Sequence, residues 1–373
     1  MPKLEHSGAI LTIDLAALCA NWRLLRDRLD GRAECAGVVK ADGYGLGAKK
    51  VATALYGAGC RVFFVAHLDE ALSLRATLPE AEIHVLNGLM PGSAPEFAEN
   101  RLVPVLNDLV AIEAWRDFCT AQNQAYPADI HIDTGMARLG LPPSEVAVLA
   151  DQPHWLEGIS VVNFMSHLAC ADEPDHPLNG EQLAHFRAAL AMLPEGGRSF
   201  ANSSGIFLGA DYHFDLARPG IALYGGNPTP AQPNPMAQVV RLQGKIHQVR
   251  NVDTPWTVGY GATHNVTGPT RIATIAVGYA DGFLRSLSNS GCGYIGGVRV
   301  PIVGRVSMDL ITLDVSSVPH SQSAPGCLVD LIGPNNPVDD VAEAAGTIGY
   351  EILTGLGGRY HRVYVGGTTS VRA

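Results

Sequence analysis

The 373-residue chain lacks an excess of basic residues, long apolar runs and paired cysteine motifs. Its 26 lysines and arginines are outnumbered by 36 aspartates and glutamates, which gives a formal net charge of −10. Nucleic acids and anionic membranes bind basic surfaces, so this balance argues against both as partners. No apolar run approaches the ~18 residues that span a bilayer, and we expect no secretory signal in residues 1–7.

The seven cysteines are scattered and odd in number, and no two of them form a C-x-x-C motif. This pattern supports neither a disulfide framework nor a zinc site. Scattered cysteines are typical of small core residues in a reducing compartment, so we expect a cytoplasmic protein. No H-E-x-x-H spacing occurs either, and we expect no metal centre.

Short apolar runs alternate with helical patterns through the first part of the chain. The runs lie near residues 35–40, 61–66, 82–86, 102–106, 128–132, 159–165, 198–202 and 214–218. Eight buried strands alternating with helices predict a (β/α)8 barrel, an α/β fold. A doubly wound open sheet is the alternative, but it usually has fewer strands, and no G-x-G-x-x-G motif follows the first run.

A change of texture near residue 230 indicates a domain boundary. Four prolines fall within residues 227–235 and predict a stiff, extended connection. The segments beyond it are strand-like and turn-rich, at 239–249, 270–277, 297–303 and 310–315, with one helix near 338–345. We therefore predict a barrel domain over residues 1–232 and a C-terminal β-rich domain over residues 233–373.

Lys40 ends the first apolar run, in the sequence V-V-K-A-D-G-Y-G-L-G at 38–47. An amine at the carboxyl end of a buried strand is desolvated, which lowers its pKa and makes it a nucleophile suited to Schiff-base formation. An isolated lysine at a strand end more often extends its ammonium group into solvent. The residues after the other apolar runs decide between these two interpretations.

Further reactive or charged side chains come after the later strand candidates, on the rim where Lys40 is expected. Arg138 could hold a carboxylate in a bidentate pair, although a solvated loop arginine would give the same pattern. His167 could stack on a flat cofactor, or it could be a satisfied core histidine. The loops with Ser203 and Gly220 follow the seventh and eighth candidates, a common position for phosphate binding.

In the second half, Tyr260 lies between two glycines in V-G-Y-G-A-T at 258–263. Flanking glycines allow close approach and expose the phenol, but a hairpin turn with a surface tyrosine explains the pattern equally well. The segments that contain Tyr279 and Met308 have the same ambiguity.

Six motifs together resemble the bacterial alanine racemases, which depend on pyridoxal 5′-phosphate (PLP). They are V-V-K-A-D-G-Y-G-L-G at 38–47, D-T-G-M-A-R-L-G at 133–140, A-R-P-G-I-A-L-Y-G at 217–225, G-Y-G-A-T at 259–263, V-G-Y-A-D-G at 277–282 and G-R-V-S-M-D at 304–309. The resemblance covers nearly the whole chain. It implies a PLP-binding barrel, a β domain that the first strand at 8–14 joins, and a head-to-tail homodimer.

The resemblance also implies the role of each site residue. Lys40 would bind PLP as a Schiff base and, with Tyr260 of the partner subunit, interconvert L- and D-alanine as one of two bases. The other cofactor contacts would be Tyr44, His167, Ser203, Arg218, Gly220, Ile221 and Tyr350. Arg138 and Met308 would bind the substrate carboxylate, Tyr279 would line the access channel, and the product D-alanine would supply peptidoglycan.

Two positions depart from the family pattern. Many members have a carbamylated lysine where this chain has His131, so Arg138 would be held by a bound anion or by another side chain. Position 307 is often cysteine and is serine here.

Two other functions fit part of the sequence pattern. An amino-acid decarboxylase shares the layout, but its substrate-binding cysteine motif has no counterpart here. A PLP-carrying regulatory protein resembles the barrel alone.

Overall fold

A computed structural model describes residues 2–367, and the first part of this range forms a parallel barrel. After an N-terminal strand β1 (Ala9–Asp14), the barrel strands are β2 (Glu34–Cys35), β3 (Gly37–Val38), β4 (Val62–Val65), β5 (Glu82–Val85), β6 (Val103–Leu106), β7 (Tyr126–His131), β8 (Ile159–Met165), β9 (Gly197–Ser199) and β10 (Leu216–Ala217). They pair in the order β2-β10-β9-β8-β7-β6-β5-β4-β3. Because β2 and β3 are successive segments of one strand, interrupted at Ala36, the two ends of this order meet and the barrel closes.

The predicted (β/α)8 barrel is confirmed, and the open sheet is wrong. The first barrel strand pairs with β10 through Glu34 and Leu216 and with β4 through Val38 and Phe64, so it has neighbours on both sides. Strands β4 and β6 are buried along their whole length, which explains their continuous apolar sequences.

Helices follow most of the strands and cover the outside of the barrel. They are α1 (Leu15–Arg28), the short α2 (Lys40–Tyr44), α3 (Ala48–Ala58), α4 (Leu68–Arg75), α5 (Ala94–Glu99), α6 (Leu109–Gln122), α7 (Pro143–Asp151) and α8 (Pro177–Leu190). The carboxylate of Asp14 caps α1 by accepting from the N–H groups of Ala16 and Ala17 at 2.9 Å. Across residues 2–367 no helix combines the length and the apolar character that crossing a membrane needs.

The second part of the chain is rich in strands, which confirms the predicted β domain. It contains β11 (Val240–Val252), β12 (Trp256–Val258), β13 (His264–Val266), β14 (Thr270–Ile275), β15 (Cys292–Ile295), β16 (Val298–Pro301), β17 (Ile311–Asp314), β18 (Leu328–Ile332), α9 (Val338–Ala345), α10 (Gly349–Thr354) and β19 (His361–Val365). The main sheet has the order β16-β15-β18-β11-β1-β19, and β14 joins β17 to β11. Neither the hairpin β12–β13 nor α10 is among the predicted elements.

Strand β1 lies in the sheet of the second part, although it leads directly into the first barrel helix. It pairs antiparallel with β11 and parallel with β19. Its inward side chains Leu11 and Ile13 are fully buried. The boundary between residues 232 and 233 stays a prediction, and residue 1 and residues 368–373 of the two predicted domains lie outside the described residues.

Candidate active site

A cavity of about 470 Å³ opens at the carboxyl ends of the barrel strands. Parallel strands of a barrel end at one rim, so residues that follow different strands meet there. The cavity brings together nine of the predicted site residues: Lys40, Tyr44, Arg138, His167, Ser203, Arg218, Gly220, Ile221 and Tyr350. The sequence motifs therefore converge on one place in the fold.

A larger groove of about 900 Å³ lies near the amino end of β9. Its arginines are already paired, Arg187 with Asp211 at 3.2 Å and Arg198 with Asp215 at 2.7 Å. The smaller cavity, in contrast, combines an amine, two arginines and several hydroxyl groups. We therefore take the smaller cavity as the candidate active site.

Lys40 is followed by a left-handed turn of the backbone. The φ angles are 53° at Ala41, 53° at Asp42, 65° at Gly43, 55° at Tyr44 and 78° at Gly45. This conformation costs residues with a side chain roughly 1–2 kcal/mol each. At Gly45 an added Cβ would also overlap the carbonyl of Leu353 in α10. Backbone strain of this kind concentrates at functional sites, and here the turn presents both Lys40 and Tyr44 to the cavity.

The surroundings of Lys40 favour its unprotonated form. Burial lowers the pKa of its amine, and the positive charges of Arg138 and Arg218 lower it further, while the carboxylate of Glu70 opposes them. An unprotonated amine is both a nucleophile and a base. The direction of this shift agrees with the nucleophilic role predicted for Lys40, which stays a prediction.

Hydrogen-bond donors gather around Ser203 and Gly220 in this cavity. The Oγ of buried Ser203 accepts from the N–H of Gly220 at 2.9 Å, and the neighbouring N–H of Ile221 has no partner within residues 2–367. A Cβ at Gly220 would overlap the hydroxyl of Tyr44. Burial raises the pKa of Tyr44 above its ordinary value and that of Tyr350 to about 12, so both phenols keep their protons and can donate.

Arg218 also lines this cavity and is 4% exposed. It donates to the Oγ of Ser199 and to the carbonyl of Ser166, both at 2.5 Å, and its Nη2 lies 3.5 Å from Nδ1 of His167. Burial lowers the pKa of Arg218 to about 10, so it stays protonated at neutral pH. Burial and the charge of Arg218 hold the pKa of His167 well below its ordinary value, so that imidazole is neutral.

Arg138 belongs to a loop that closes back on β7. The carboxylate of Asp133 accepts from the N–H groups of Gly135 and Met136 at 2.9 Å and orders this loop. The Arg138 side chain makes no hydrogen bond or ion pair with any residue from 2 to 367. His131, at the end of β7, is bonded through Nδ1 to Oδ1 of Asn107 at 2.7 Å. The proposal that a bound anion holds Arg138 stays a prediction.

Three predicted site residues lie outside this cavity. Tyr260 and Tyr279 line a second cavity of about 370 Å³ in the β domain, together with Arg285 and Arg305. The exposed fractions are 72% for Tyr260 and 54% for Met308. Within one chain, therefore, the structure does not bring these residues to Lys40.

Several residues of the cavity are absent from the predicted set. Asn202 accepts from the N–H of Gly205 at 2.9 Å and precedes Ser203, a position directly after a strand that could have drawn attention. Tyr224 does not line the cavity itself but stacks on Tyr44 with ring centroids 4.4 Å apart, and its hydroxyl donates to the carbonyl of Val38. Phe64 and Leu86 also line the wall, but apolar strand residues give no sequence signal beyond that of a core.

Comparisons with known proteins agree with this geometry. Residues 13–228 match the family model "Alanine racemase, N-terminal domain", and residues 239–364 match "Alanine racemase, C-terminal domain". The chain is 54% identical to the alanine racemase of Rhodospirillum rubrum, over 97% of each chain. It is 52% identical to a catabolic alanine racemase of Mesorhizobium japonicum, over 97% of this chain and 94% of that one.

A solved structure gives the same result. The crystal structure of alanine racemase from Bartonella henselae with covalently bound pyridoxal phosphate superposes with a TM-score of 0.93. It is 44% identical in sequence, and the match covers 96% of this chain and all of that one.

Proposed function

Since this chain belongs to the alanine racemase family, we propose that it interconverts L- and D-alanine with two bases, Lys40 and Tyr260 of the partner subunit. The family, the isomerase class and the PLP cofactor predicted from the sequence are confirmed. The use of two bases, the role of each residue and the shared site are our proposal. We further propose that the working unit is a cytoplasmic homodimer.

The cavity contains residues that suit the phosphate, the carbonyl carbon and the ring of PLP. Ser203, Gly220, Ile221 and the two protonated phenols would hold the phosphate, and the amine of Lys40 would bond to the carbonyl carbon. When bound, PLP withdraws electrons from an attached amino acid and makes its Cα proton removable. His167 would pack on the cofactor ring, as the resemblance implies.

Arg218 would face the pyridine nitrogen of the cofactor. A guanidinium donates hydrogen bonds and offers no proton to share at neutral pH, so the nitrogen opposite would stay unprotonated. This weakens the electron withdrawal and restricts side reactions such as transamination. Arg138, with the backbone of Met308 of the partner subunit, would bind the substrate carboxylate.

The observation that carries the proposal is the absence of a second suitable base among the described residues of the Lys40 cavity. Racemisation removes a proton from one face of Cα and adds one to the other face. The phenols of Tyr44 and Tyr350 are poor bases because burial raises their pKa values. The two histidines of the cavity, His131 and His167, are also poor bases because burial and the charge of Arg218 lower their pKa values.

The partner's Tyr260 would complete the site. In this chain Tyr260 lies on an exposed face of the β domain with Trp256, which is 68% exposed. Leu139, which lines the Lys40 cavity, is 42% exposed, and Ile348, two residues before Tyr350 of that cavity, is 61% exposed. Exposed patches of this kind mark interfaces, and a two-fold axis would place each β domain over the cavity of the other protomer.

Replacing the two bases separately tests the proposal. Lys40→Ala should lose the visible absorbance of covalently bound cofactor, and retained absorbance would mean that another lysine binds it. Tyr260→Phe should abolish exchange of the Cα proton of L-alanine with D₂O but retain exchange of D-alanine. Unimpaired racemisation by Tyr260→Phe would remove this residue from the mechanism.

We propose that the product D-alanine supplies peptidoglycan. One relative at 52% identity carries the name of a catabolic enzyme, which favours a part in the degradation of alanine as the second candidate role. Deletion of the gene distinguishes the two roles. If the deletion strain requires added D-alanine for growth, supply of the cell wall is supported. If the strain grows normally except when alanine is the sole carbon source, degradation is supported.

A further inference from the structure

Glu70, in the first turn of α4, connects the backbone beside Lys40 to the neighbouring barrel strand. Its Oε1 accepts from the N–H of Ala41 at 2.7 Å. Its Oε2 accepts from the N–H groups of Ala66 at 2.8 Å and of His67 at 3.2 Å. One carboxylate thus bonds the residue after Lys40 and the two residues that follow β4.

Only part of this arrangement is ordinary helix capping. The bond from His67 to the third residue of the helix is a capping-box contact, and it uses Oε2. The bond from Ala41 uses the other oxygen and comes from a different strand, so the cap does not require it. Charge-assisted hydrogen bonds are stronger than neutral ones and better able to fix a backbone position.

The N–H of Ala41 is also where the left-handed turn begins. The first two residues of the turn, Ala41 and Asp42, carry side chains and are strained at positive φ. Such a conformation persists only where the surroundings hold it. The Glu70 carboxylate supplies a contact at the start of the turn, next to the Cα from which the Lys40 side chain extends.

We propose that Glu70 is a positioning residue for Lys40: by binding the N–H of Ala41 it fixes the direction of the lysine side chain toward the substrate Cα. This inference rests on the proposed function, in which Lys40 acts on D-alanine and the partner's Tyr260 acts on L-alanine. A misdirected lysine slows one of two proton transfers and leaves the other intact.

Glu70→Gln tests the inference in the PLP-loaded enzyme. Its kcat/KM should fall about tenfold in both directions, because the overall equilibrium constant is fixed and a small misplacement of a reacting group is costly. The informative measurement is the isotope effect with deuterium at Cα. Slowing the Lys40 step should raise the isotope effect measured with D-alanine and lower the one measured with L-alanine.

Two control variants separate this effect from lost stability and lost charge. Asp14→Asn weakens the carboxylate cap of α1, which binds two backbone N–H groups. Asp69→Asn removes the exposed charge next to Glu70. The carboxylate of Asp69 makes no hydrogen bond within residues 2–367. Both should keep the wild-type ratio of the two isotope effects, whatever their melting temperatures.

Glu70→Asp provides a second variant in case Glu70→Gln does not fold. Aspartate keeps a carboxylate on α4 but is one methylene shorter, so it should cap the helix without reaching Ala41. Like Glu70→Gln, it should raise the isotope effect measured with D-alanine and lower the one measured with L-alanine. If neither Glu70 variant changes their ratio, or if Asp14→Asn changes it equally, the inference is wrong. Retained absorbance in Lys40→Ala would instead overturn the proposed function.

Discussion

Tyr44 and Gly220 lie far apart in the barrel part of the chain but contact each other in the fold. Their contact is possible because Gly220 has no side chain. Tyr44 is buried and held between Tyr224 and Tyr350, with ring centroids 4.4 Å and 6.0 Å away. Its hydroxyl occupies the space into which a Cβ of Gly220 would extend. The phosphate end of the cavity therefore depends on glycine at position 220.

Gly220→Ala should weaken retention of PLP. The added methyl group must displace the Tyr44 hydroxyl, and overpacking of this kind costs about 1–3 kcal/mol. Equilibrium dialysis of the purified enzyme, followed by absorbance of the bound cofactor, measures the loss. Gly180→Ala is the matched control, because that glycine lies in α8 with open space around its Cα. Equal retention by the two variants would contradict this fit between Tyr44 and Gly220.

The sequence predicts the polar residues of the site better than the interactions that hold them. Lys40, Ser203 and Arg218 follow apolar runs, and this position is informative because strand ends meet at one rim. Glu70 has no such signal, since an acidic residue in the first turn of a helix is ordinary. Its bond to Ala41 depends on how two neighbouring strands are placed, which a linear pattern does not contain.

At the scale of elements, three barrel strands share a buried polar layer. His84 of β5 is fully buried between Asp129 of β7, at 2.6 Å, and Glu82, at 2.8 Å. Asn163 of β8 donates to the other oxygen of Asp129 at 2.9 Å. Burial alone would lower the pKa of His84, but the two carboxylates outweigh it and raise the pKa to about 9.

This layer predicts a loss of stability as the solution becomes alkaline. The folded state holds a proton on His84 up to about pH 9, whereas the unfolded histidine loses it near 6.5. Between these values the folded state binds more protons, so the free energy of unfolding falls with rising pH, on the order of 3 kcal/mol in total. Urea unfolding across this window should show the decline, and His84→Gln should flatten it. Parallel slopes for the two proteins would contradict the assignment.

The element boundaries show where a pattern of apolar residues succeeds. The runs at 82–86, 102–106 and 159–165 match β5, β6 and β8 closely, because most side chains of a buried parallel strand are apolar. The left-handed turn at 41–45 is not predicted, since only two of its five residues are glycine. Contacts with neighbouring elements hold the other three residues, Ala41, Asp42 and Tyr44, at positive φ.

At the scale of the whole molecule, the proposed site would be divided between two subunits. Lys40 and Tyr260 lie in separate cavities, and both cavities have exposed apolar surroundings. Under this proposal, the sequence motifs of the second domain have a role although they are remote from the Lys40 cavity of their own chain. It also makes the sharing of sites testable with inactive subunits.

Mixing Lys40→Ala with Tyr260→Ala chains should restore activity. A hybrid dimer would contain one site with both substitutions and one site with neither, so random exchange should recover about a quarter of the wild-type rate. The assay is racemisation after the two variants are refolded together. As the control, Lys40→Ala mixed with Arg218→Gln should recover nothing, because both residues belong to the same cavity of one chain. Absence of recovery in the first mixture would mean that sites are not shared.

Strand β1 has a consequence for how the protein is made. Ala9 pairs with Gly244, and Ile10 pairs with His361. A ribosome adds about 5–20 residues per second, so β1 leaves the exit tunnel at least about ten seconds before either neighbour exists. During that interval its two fully buried side chains, Leu11 and Ile13, have no sheet to enter. Until translation supplies β11 and β19, this apolar strand of the nascent chain stays unpaired, and the second sheet closes only when the end of the chain has been made.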